Sequence, residues 1–199
     1  MNEPVVVKLG GSLLTWPGLR DGLSAYWQAR RFRRPVVIVG GGGAADLVRD
    51  LDRIHGLGEG RSHQLALHAL DLTARLFAGL MSGLDVVDRP DELASVWDAG
   101  RIPILSPRRF LEADAHRPGA LPHSWDATTD SIAARVTDHL GAAELALLKS
   151  APLPPGTDRA SAARLGLVDP LFPLVAWGLG RVTYRNLRDP SGIATLLPP

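Results

Sequence analysis

The chain has 199 residues, no cysteine, and 22 basic against 21 acidic side chains, for a net charge of +1. A chain of this length buries roughly 70% of its unfolded surface, so its core needs neither disulfides nor structural zinc, and cysteine chemistry is excluded. The charges are well mixed, which argues against nucleic acid as the main partner, and no long apolar segment argues for a membrane.

Met1 to Val7 opens directly on an apolar, strand-like run with no positive leader and no small-residue cleavage site, so a soluble cytoplasmic protein is expected. Of the 22 basic residues, only Lys8 and Lys149 are lysine. In a composition that favours arginine so strongly, these two are candidates for positions that need an ammonium.

Val5-Val6-Val7, closed by Lys8-Leu9 and Gly10-Gly11, has the pattern of a buried strand followed by a glycine turn. Leu19, Leu23, Tyr26, Trp27 and Arg30 then recur at helical spacing up to Pro35. Val36 to Val39 is a second buried strand that runs into Gly40 to Gly43 and a helix carrying Ala44, Leu47, Val48, Leu51 and Ile54. Gly56, Gly58 and Gly60 mark a loop. A long third helix follows, with Leu65, Leu72, Leu76 and Leu80 on one side.

Leu84 to Val87 and Ile102 to Leu105 are further strand candidates, separated by a helical stretch from Asp91 to Ala99. Asp114 to Pro122 is a polar, proline-bearing loop. Ile132, Val136 and Leu140 define a helix ending at Gly141, and Leu145 to Leu148 is the next strand. Beyond Lys149, Pro152, Pro154 and Pro155 interrupt the pattern, and only Arg181 to Tyr184 resembles a strand. This alternation, with continuously apolar strands, predicts one α/β domain over residues 1–199. Its architecture is a three-layer αβα sandwich around a mainly parallel sheet, with ligands at the carboxyl ends of the strands.

Gly10-Gly11-Ser12 and Gly40 to Gly43 both fall where a strand hands over to a helix, so each offers backbone N–H groups beside a helix N-terminus, an arrangement that binds phosphate. One such turn is more often simply a tight turn; two favour phosphate. Neither has P-loop spacing nor the dinucleotide pattern. Lys8 would lean over phosphates held by both turns. His63 and His68, five residues apart, fall on different helix faces and are not a metal pair.

Val6 to Ser12, Val37 to Gly43 and Thr128-Thr129-Asp130-Ser131-Ile132-Ala133 resemble the three motifs of the amino acid kinase superfamily, in the family's order. Ser62 to Ala66, Asp71-Leu72, Ile104 to Arg108, His123 to Ser131 and Phe172-Pro173-Leu174 are similar to its aminomethylfuran-phosphate kinase branch of methanofuran biosynthesis. The resemblance implies transfer of the ATP γ-phosphoryl group, with Mg²⁺, to the phosphate of a small acceptor, giving a diphosphate. It implies Lys8 and Lys149 as catalytic cations, with Asp130 as the organiser of Lys8 or a Mg²⁺ contact. Gly10, Gly11, Ser12, Gly41, Gly42 and Gly43 would bind phosphate. His123, Ser124, Trp125 and Asp126 would face the acceptor, the Trp125 indole covering its ring and Asp126 pairing with its ammonium. Acceptor binding falls to about residues 1–125, nucleotide binding to about 126–199, and the assembly to a homo-oligomer, a dimer first.

The chain also departs from that pattern. Relatives follow the strand ending near Lys149 with a Thr-x-Val-Asp-Gly segment that builds the nucleotide pocket, and here Ser150-Ala151-Pro152-Leu153-Pro154-Pro155 stands in its place. Many relatives carry a second catalytic lysine further on; here Lys149 or Arg181 must substitute, a guanidinium being an adequate phosphate clamp. Two alternatives stay open: a uridylate or isopentenyl phosphate type of kinase, and a catalytically silent binding subunit.

Overall fold

The β-branched runs form strands where the pattern places them. In the computed structural model, β1 (Val5–Leu9), β2 (Pro35–Val39), β3 (Leu84–Val87), β4 (Ile102–Leu105), β5 (Glu144–Lys149) and β6 (Val182–Asn186) pair in parallel. Their order is β3-β4-β2-β1-β5-β6, and β7 (Thr195–Leu196) closes the β6 edge antiparallel. The structure describes residues 3–30 and 32–199; Met1 and Asn2, at the head of the run from Met1 to Val7, lie outside the described residues, as does Arg31. β1 is central, matched residue for residue to β2 on one side and to Glu144 through Leu148 of β5 on the other. A strand covered on both faces needs no polar alternation, which is why β1 and β2 are almost wholly apolar.

Helices cover both faces. α1 (Leu19–Arg30) and the second half of α3 (Glu59–Leu80) pack Leu19, Leu23, Tyr26, Ala74 and Phe77 against Val7, Leu9, Val37 and Val39. The opposite face, carrying Val6, Val36, Ile38, Leu145 and Leu147, is covered by α4 (Leu93–Asp98), α5 (Pro107–Asp114), α6 (Thr129–His139), α7 (Arg159–Arg164) and α8 (Phe172–Val175). The result is the expected three-layer sandwich. Among the described residues, no helix is long and apolar enough to cross a membrane.

The structure also differs from the sequence pattern in places. α2 (Gly42–His55) buries none of its residues: Leu47, Leu51 and Ile54 are exposed, as are Leu65, Leu72 and Leu76 of α3. Periodicity defines an apolar face, and here those faces turn away from the sheet. α5 begins at Pro107, where a missing N–H costs nothing, and ends on the first residue of the stretch read as a loop. Two short helices occupy the region beyond Lys149. Asp158 caps α7 by accepting the Ser161 N–H at 2.6 Å, and the buried Arg159 donates to the carbonyls of Ala176, Leu179 and Leu197, tying α7 to the end of the chain.

The parallel order gathers Leu9, Val39, Lys149 and Asn186 at one end of the sheet. Strand starts, including the residues around Arg181 and Glu144, lie at the other end.

Candidate active site

The two glycine turns interlock at the carboxyl ends of β1 and β2. The Gly10 N–H donates to the Leu148 carbonyl and the Gly40 N–H to the Leu9 carbonyl, each at 2.8 Å, extending the ladder past the strand ends. Gly11 then crosses Gly42 so closely that a β-carbon on Gly11 would overlap the Gly42 backbone. One on Gly42, whose φ is +49°, would stand 2.7 Å from the Gly11 oxygen. Glycine alone fits such a crossing. The tight-turn and phosphate readings are therefore compatible, because the same crossing starts α2 with Gly42 and Gly43, whose N–H groups have no intrahelical acceptor.

Beneath these turns, both lysines meet one carboxylate. Lys8 of β1 and Lys149 of the neighbouring β5 project from the same sheet face, and their Nζ atoms lie 2.8 Å from Oδ1 and 2.8 Å from Oδ2 of Asp130. Asp130 arrives from the first turn of α6. Burial pushes its carboxyl up, but the Lys149 and Lys8 ammonium groups outweigh that and hold it at about 2. For Lys149, burial is the largest effect; together with the Lys8 charge it outweighs the attraction of Asp130 and brings the ammonium down to about 8. Two cations against one carboxylate leave an excess positive charge beside the turns, suited to an anion.

Neighbouring groups fix the loop after β5. Ser12 and Ser150 share a hydrogen bond of 2.7 Å between their hydroxyls, joining the first glycine turn to that loop. The Tyr184 hydroxyl donates to the Ala151 carbonyl at 3.0 Å. Burial, reinforced by the Asp130 charge, pushes it up to about 12, so it remains a donor.

A cavity of about 250 Å³ opens beside the turns, between α2, α3 and the loop before α6, with Ser12, Gly42, Asp46, His63, Trp125 and Thr129 in its wall. The Trp125 indole N–H donates to Asp52 at 3.0 Å, and the Arg49 guanidinium lies 4.7 Å from its ring. His123 stacks on His63 with ring centroids 4.7 Å apart, and burial followed by the His123 charge lowers the His63 pKa. His123 thus reaches the cavity only through its partner.

Ser124 and Asp126 serve the loop instead. The Ser124 hydroxyl accepts the Asp126 N–H at 3.3 Å, the Asp126 carbonyl accepts the Leu171 N–H at 3.3 Å, and the Asp126 side chain is exposed outside the cavity wall. The carboxylate that does line the cavity is Asp46, 2.7 Å from Arg49. The sequence held a signal for it: residues 42, 46 and 49 share one helical face with the glycine turn.

Arg181 does not belong to the site. It precedes β6, and its guanidinium pairs at 3.0 Å with Glu144, the first residue of β5, which also holds Arg30. In a parallel sheet, strand starts lie opposite the carboxyl ends, so the second cation at the site is Lys149. Mg²⁺ finds no protein cage either. Among the described residues, no three His, Asp or Glu side chains converge as ligands, and both oxygens of Asp130 already face ammonium groups. Asp130 does not fit the expected Mg²⁺ contact.

The three-layer sandwich thus sets two buried lysines, bridged by a carboxylate, beside paired glycine turns, a concentration of cations and N–H groups suited to an anion. Residues 3–152 match the amino acid kinase family, and the chain belongs to that family. A (5-(aminomethyl)furan-3-yl)methyl phosphate kinase of Methanocaldococcus jannaschii is 30% identical over 129 residues, 64% of this chain. The match spans 56% of that relative, little more than half its length. Among solved structures, a UMP kinase from Bacillus anthracis superposes with a TM-score of 0.63 at 13% identity, over 95% of this chain and 89% of its own. An aspartate kinase from Synechocystis gives 0.65 at 14% identity, over 98% of this chain and 40% of its own. At these identities, the two structures establish the fold alone.

Proposed function

We propose that the protein transfers the γ-phosphoryl group of ATP to the phosphate of a small aminomethylfuran phosphate, giving a diphosphate. The observation that carries this reading is the buried Lys8–Asp130–Lys149 bridge at the carboxyl ends of β1 and β5. Phosphoryl transfer asks for alignment and charge rather than covalent help from the protein. An acceptor phosphate is already nucleophilic near neutral pH, so no base is needed. One of its oxygens forms the new bond to the γ-phosphorus as the bond to the β–γ bridging oxygen breaks and ADP leaves.

In this reading, the N–H groups of the two glycine turns hold acceptor and donor phosphates. Lys8 and Lys149 take up charge spread over the moving oxygens, and Asp130 aims both. The acceptor occupies the cavity beside Trp125. At about 250 Å³, that cavity equals the liquid volume of roughly eight waters, suited to one small ring with its phosphate. The nucleotide approaches over β5 and β6, near Ser150 and Arg188, whose guanidinium donates to the Ser12 carbonyl at 3.3 Å. That division follows the boundary near residue 125. The relative from Methanocaldococcus jannaschii supports the furan acceptor.

The homo-oligomer belongs to this proposal as well. The exposed Leu47, Leu51 and Ile54 of α2, with Leu65, Leu72 and Leu76 of α3, give it an apolar surface of the kind that interfaces cover. Sedimentation velocity on the wild type and on Leu47→Glu/Leu72→Glu tests it; an unchanged monomer in both removes it.

The function is tested by turnover with ATP and Mg²⁺ across the furan phosphate, UMP and isopentenyl phosphate, following ADP release. Preference for the furan phosphate supports the proposal, and a strong preference for UMP replaces its acceptor. Absence of turnover together with absence of thermal stabilisation by ATP would favour the silent binding subunit, the reading that the altered Ser150 to Pro155 loop motivates.

A further inference from the structure

The N-terminus of α6 is capped from far along the chain. Thr128 occupies its cap position but makes no side-chain cap of its own; both Thr128 and Ser131 turn instead to Asp169. Oδ2 of Asp169 accepts the Thr128 N–H at 3.0 Å, the Thr128 hydroxyl at 2.9 Å and the Ser131 N–H at 2.9 Å. Oδ1 accepts the Ser131 hydroxyl and, at 2.9 Å, the Phe172 N–H that begins α8. Asp169 is buried, and these five donors satisfy its carboxylate.

Asp130 lies inside that grip, between the two residues that Asp169 holds. A helix start needs acceptors for its free N–H groups, and whichever group supplies them sets the position and rotation of the first turn. Here that turn decides whether the two oxygens of Asp130 stand 2.8 Å from Lys8 and 2.8 Å from Lys149 at once. The same segment reaches the cavity loop, since the Leu171 N–H donates to the Asp126 carbonyl, one residue beyond Trp125.

We infer that Asp169 is a positioning residue for phosphoryl transfer, acting through the first turn of α6 to hold Asp130 between the two lysines. It also occupies the positive end of α6, leaving the start of α2 as the helix end facing a substrate phosphate. The inference rests on the proposed transfer for its kinetic arm, but not for its spectroscopic one.

The chain has two lysines, so protein labelled with ε-¹³C lysine gives two side-chain resonances, and their titrations read the bridge directly. In the wild type, Lys149 is expected to titrate at about 8. In Asp169→Asn, which removes one acceptor and the charge, a displaced Asp130 attracts Lys149 less and the titration moves to lower pH. Asp169→Ala is expected to lose roughly 10²-fold in kcat, with both KM values held within about threefold, as for a misplacement on the order of 1 Å at the reacting groups; Asp169→Asn falls in between.

A lowered melting temperature, with the Lys149 titration and kcat per folded molecule both unchanged, would overturn the inference, because that is what a merely structural cap gives. Should Asp169→Ala not fold, Asp169→Asn and Ser131→Ala carry the same test. If the wild type turns over no acceptor, the proposed reaction has failed, and the lysine titrations alone decide the role of Asp169.

Discussion

Lys149 and Asp130 meet at 2.8 Å across two adjoining layers, one from the end of a strand and one from the start of a helix, and Lys8 holds the other oxygen of the same carboxylate at 2.8 Å. Asp130 is thus the sole counter-charge in the bridge. Asp130→Asn leaves two ammonium groups in low dielectric without it, and removing one partner of a buried pair costs about 3–5 kcal/mol. Urea unfolding at pH 7 is expected to show a loss of that order. The Lys149 titration should fall below its wild-type value of about 8, since the attraction that raises it is gone. A fully stable Asp130→Asn protein would mean that the bridge is not dry.

The pH profile follows from the same bridge. Lys149 is brought from 10.5 down to about 8, chiefly by burial, so its charged fraction drops as pH rises through 8. If that charge serves phosphate, kcat/KM falls above about pH 8, while the kcat limb lies higher because bound phosphate favours the ammonium. Lys149→Arg keeps a cation at every working pH and should abolish the limb. Unfolding does not explain the fall. The folded value is the lower one, so between about 8 and 10.5 the unfolded chain binds more protons, and the contribution of Lys149 to stability rises with pH. Activity and stability moving in opposite directions across that window would be the signature.

The strand–turn–helix alternation and the two lysines of the bridge were legible because each has a local signal, whereas Asp130 is named only by the resemblance of Thr128 to Ala133 to a family motif. Strands covered on both faces are continuously apolar, glycines mark the handover, and two lysines among 22 basic residues stand out. What escaped depends on direction or distance. Spacing put Leu47, Leu51 and Ile54 on one face of α2 but could not say that the face points outward. Arg181 heads the stretch 181–184 that the sequence marks as a strand; β6 starts one residue later, and in a parallel sheet that beginning is the end far from the site. Asp126 and Asp46 differ only in which way one loop and one helix turn. Asp169 acts 38 residues from Ser131 and 41 from Thr128, and no periodicity announces such a cap.

The glycines separate space from chemistry. Gly11→Ala would drive a β-carbon into the Gly42 backbone, and Gly42→Ala would add a left-handed alanine with its β-carbon 2.7 Å from the Gly11 oxygen. A left-handed L-residue alone costs roughly 1–2 kcal/mol, so both variants should unfold at clearly lower urea and lose turnover. At Gly43, a β-carbon meets nothing within 4 Å, and alanine in a helix gains about 0.5–1 kcal/mol over glycine. Gly43→Ala should therefore be stabilised while keeping its N–H group and its turnover. A Gly43→Ala enzyme that folds better but does not turn over would mean that the phosphate needs the open space beside Gly43, and not only its N–H.

Trp125 tests where the acceptor lies. Its indole is held by Asp52 and Arg49 and lines the cavity. Trp125→Phe keeps an aromatic face and loses the hydrogen bond, so the acceptor KM should rise only a few-fold. Trp125→Ala removes the face, and at about 1.5–3 kcal/mol for a large apolar side chain the acceptor KM should rise about 10- to 150-fold, with the ATP KM little changed. Asp46→Asn is expected to raise the acceptor KM too, because Asp46 is the carboxylate in the cavity wall. Asp126→Asn, exposed outside that wall, should be nearly silent. Equal increases in both KM values for Trp125→Ala would instead make the indole a plug that holds the loop before α6, and the acceptor would then have to lie elsewhere along the glycine turns.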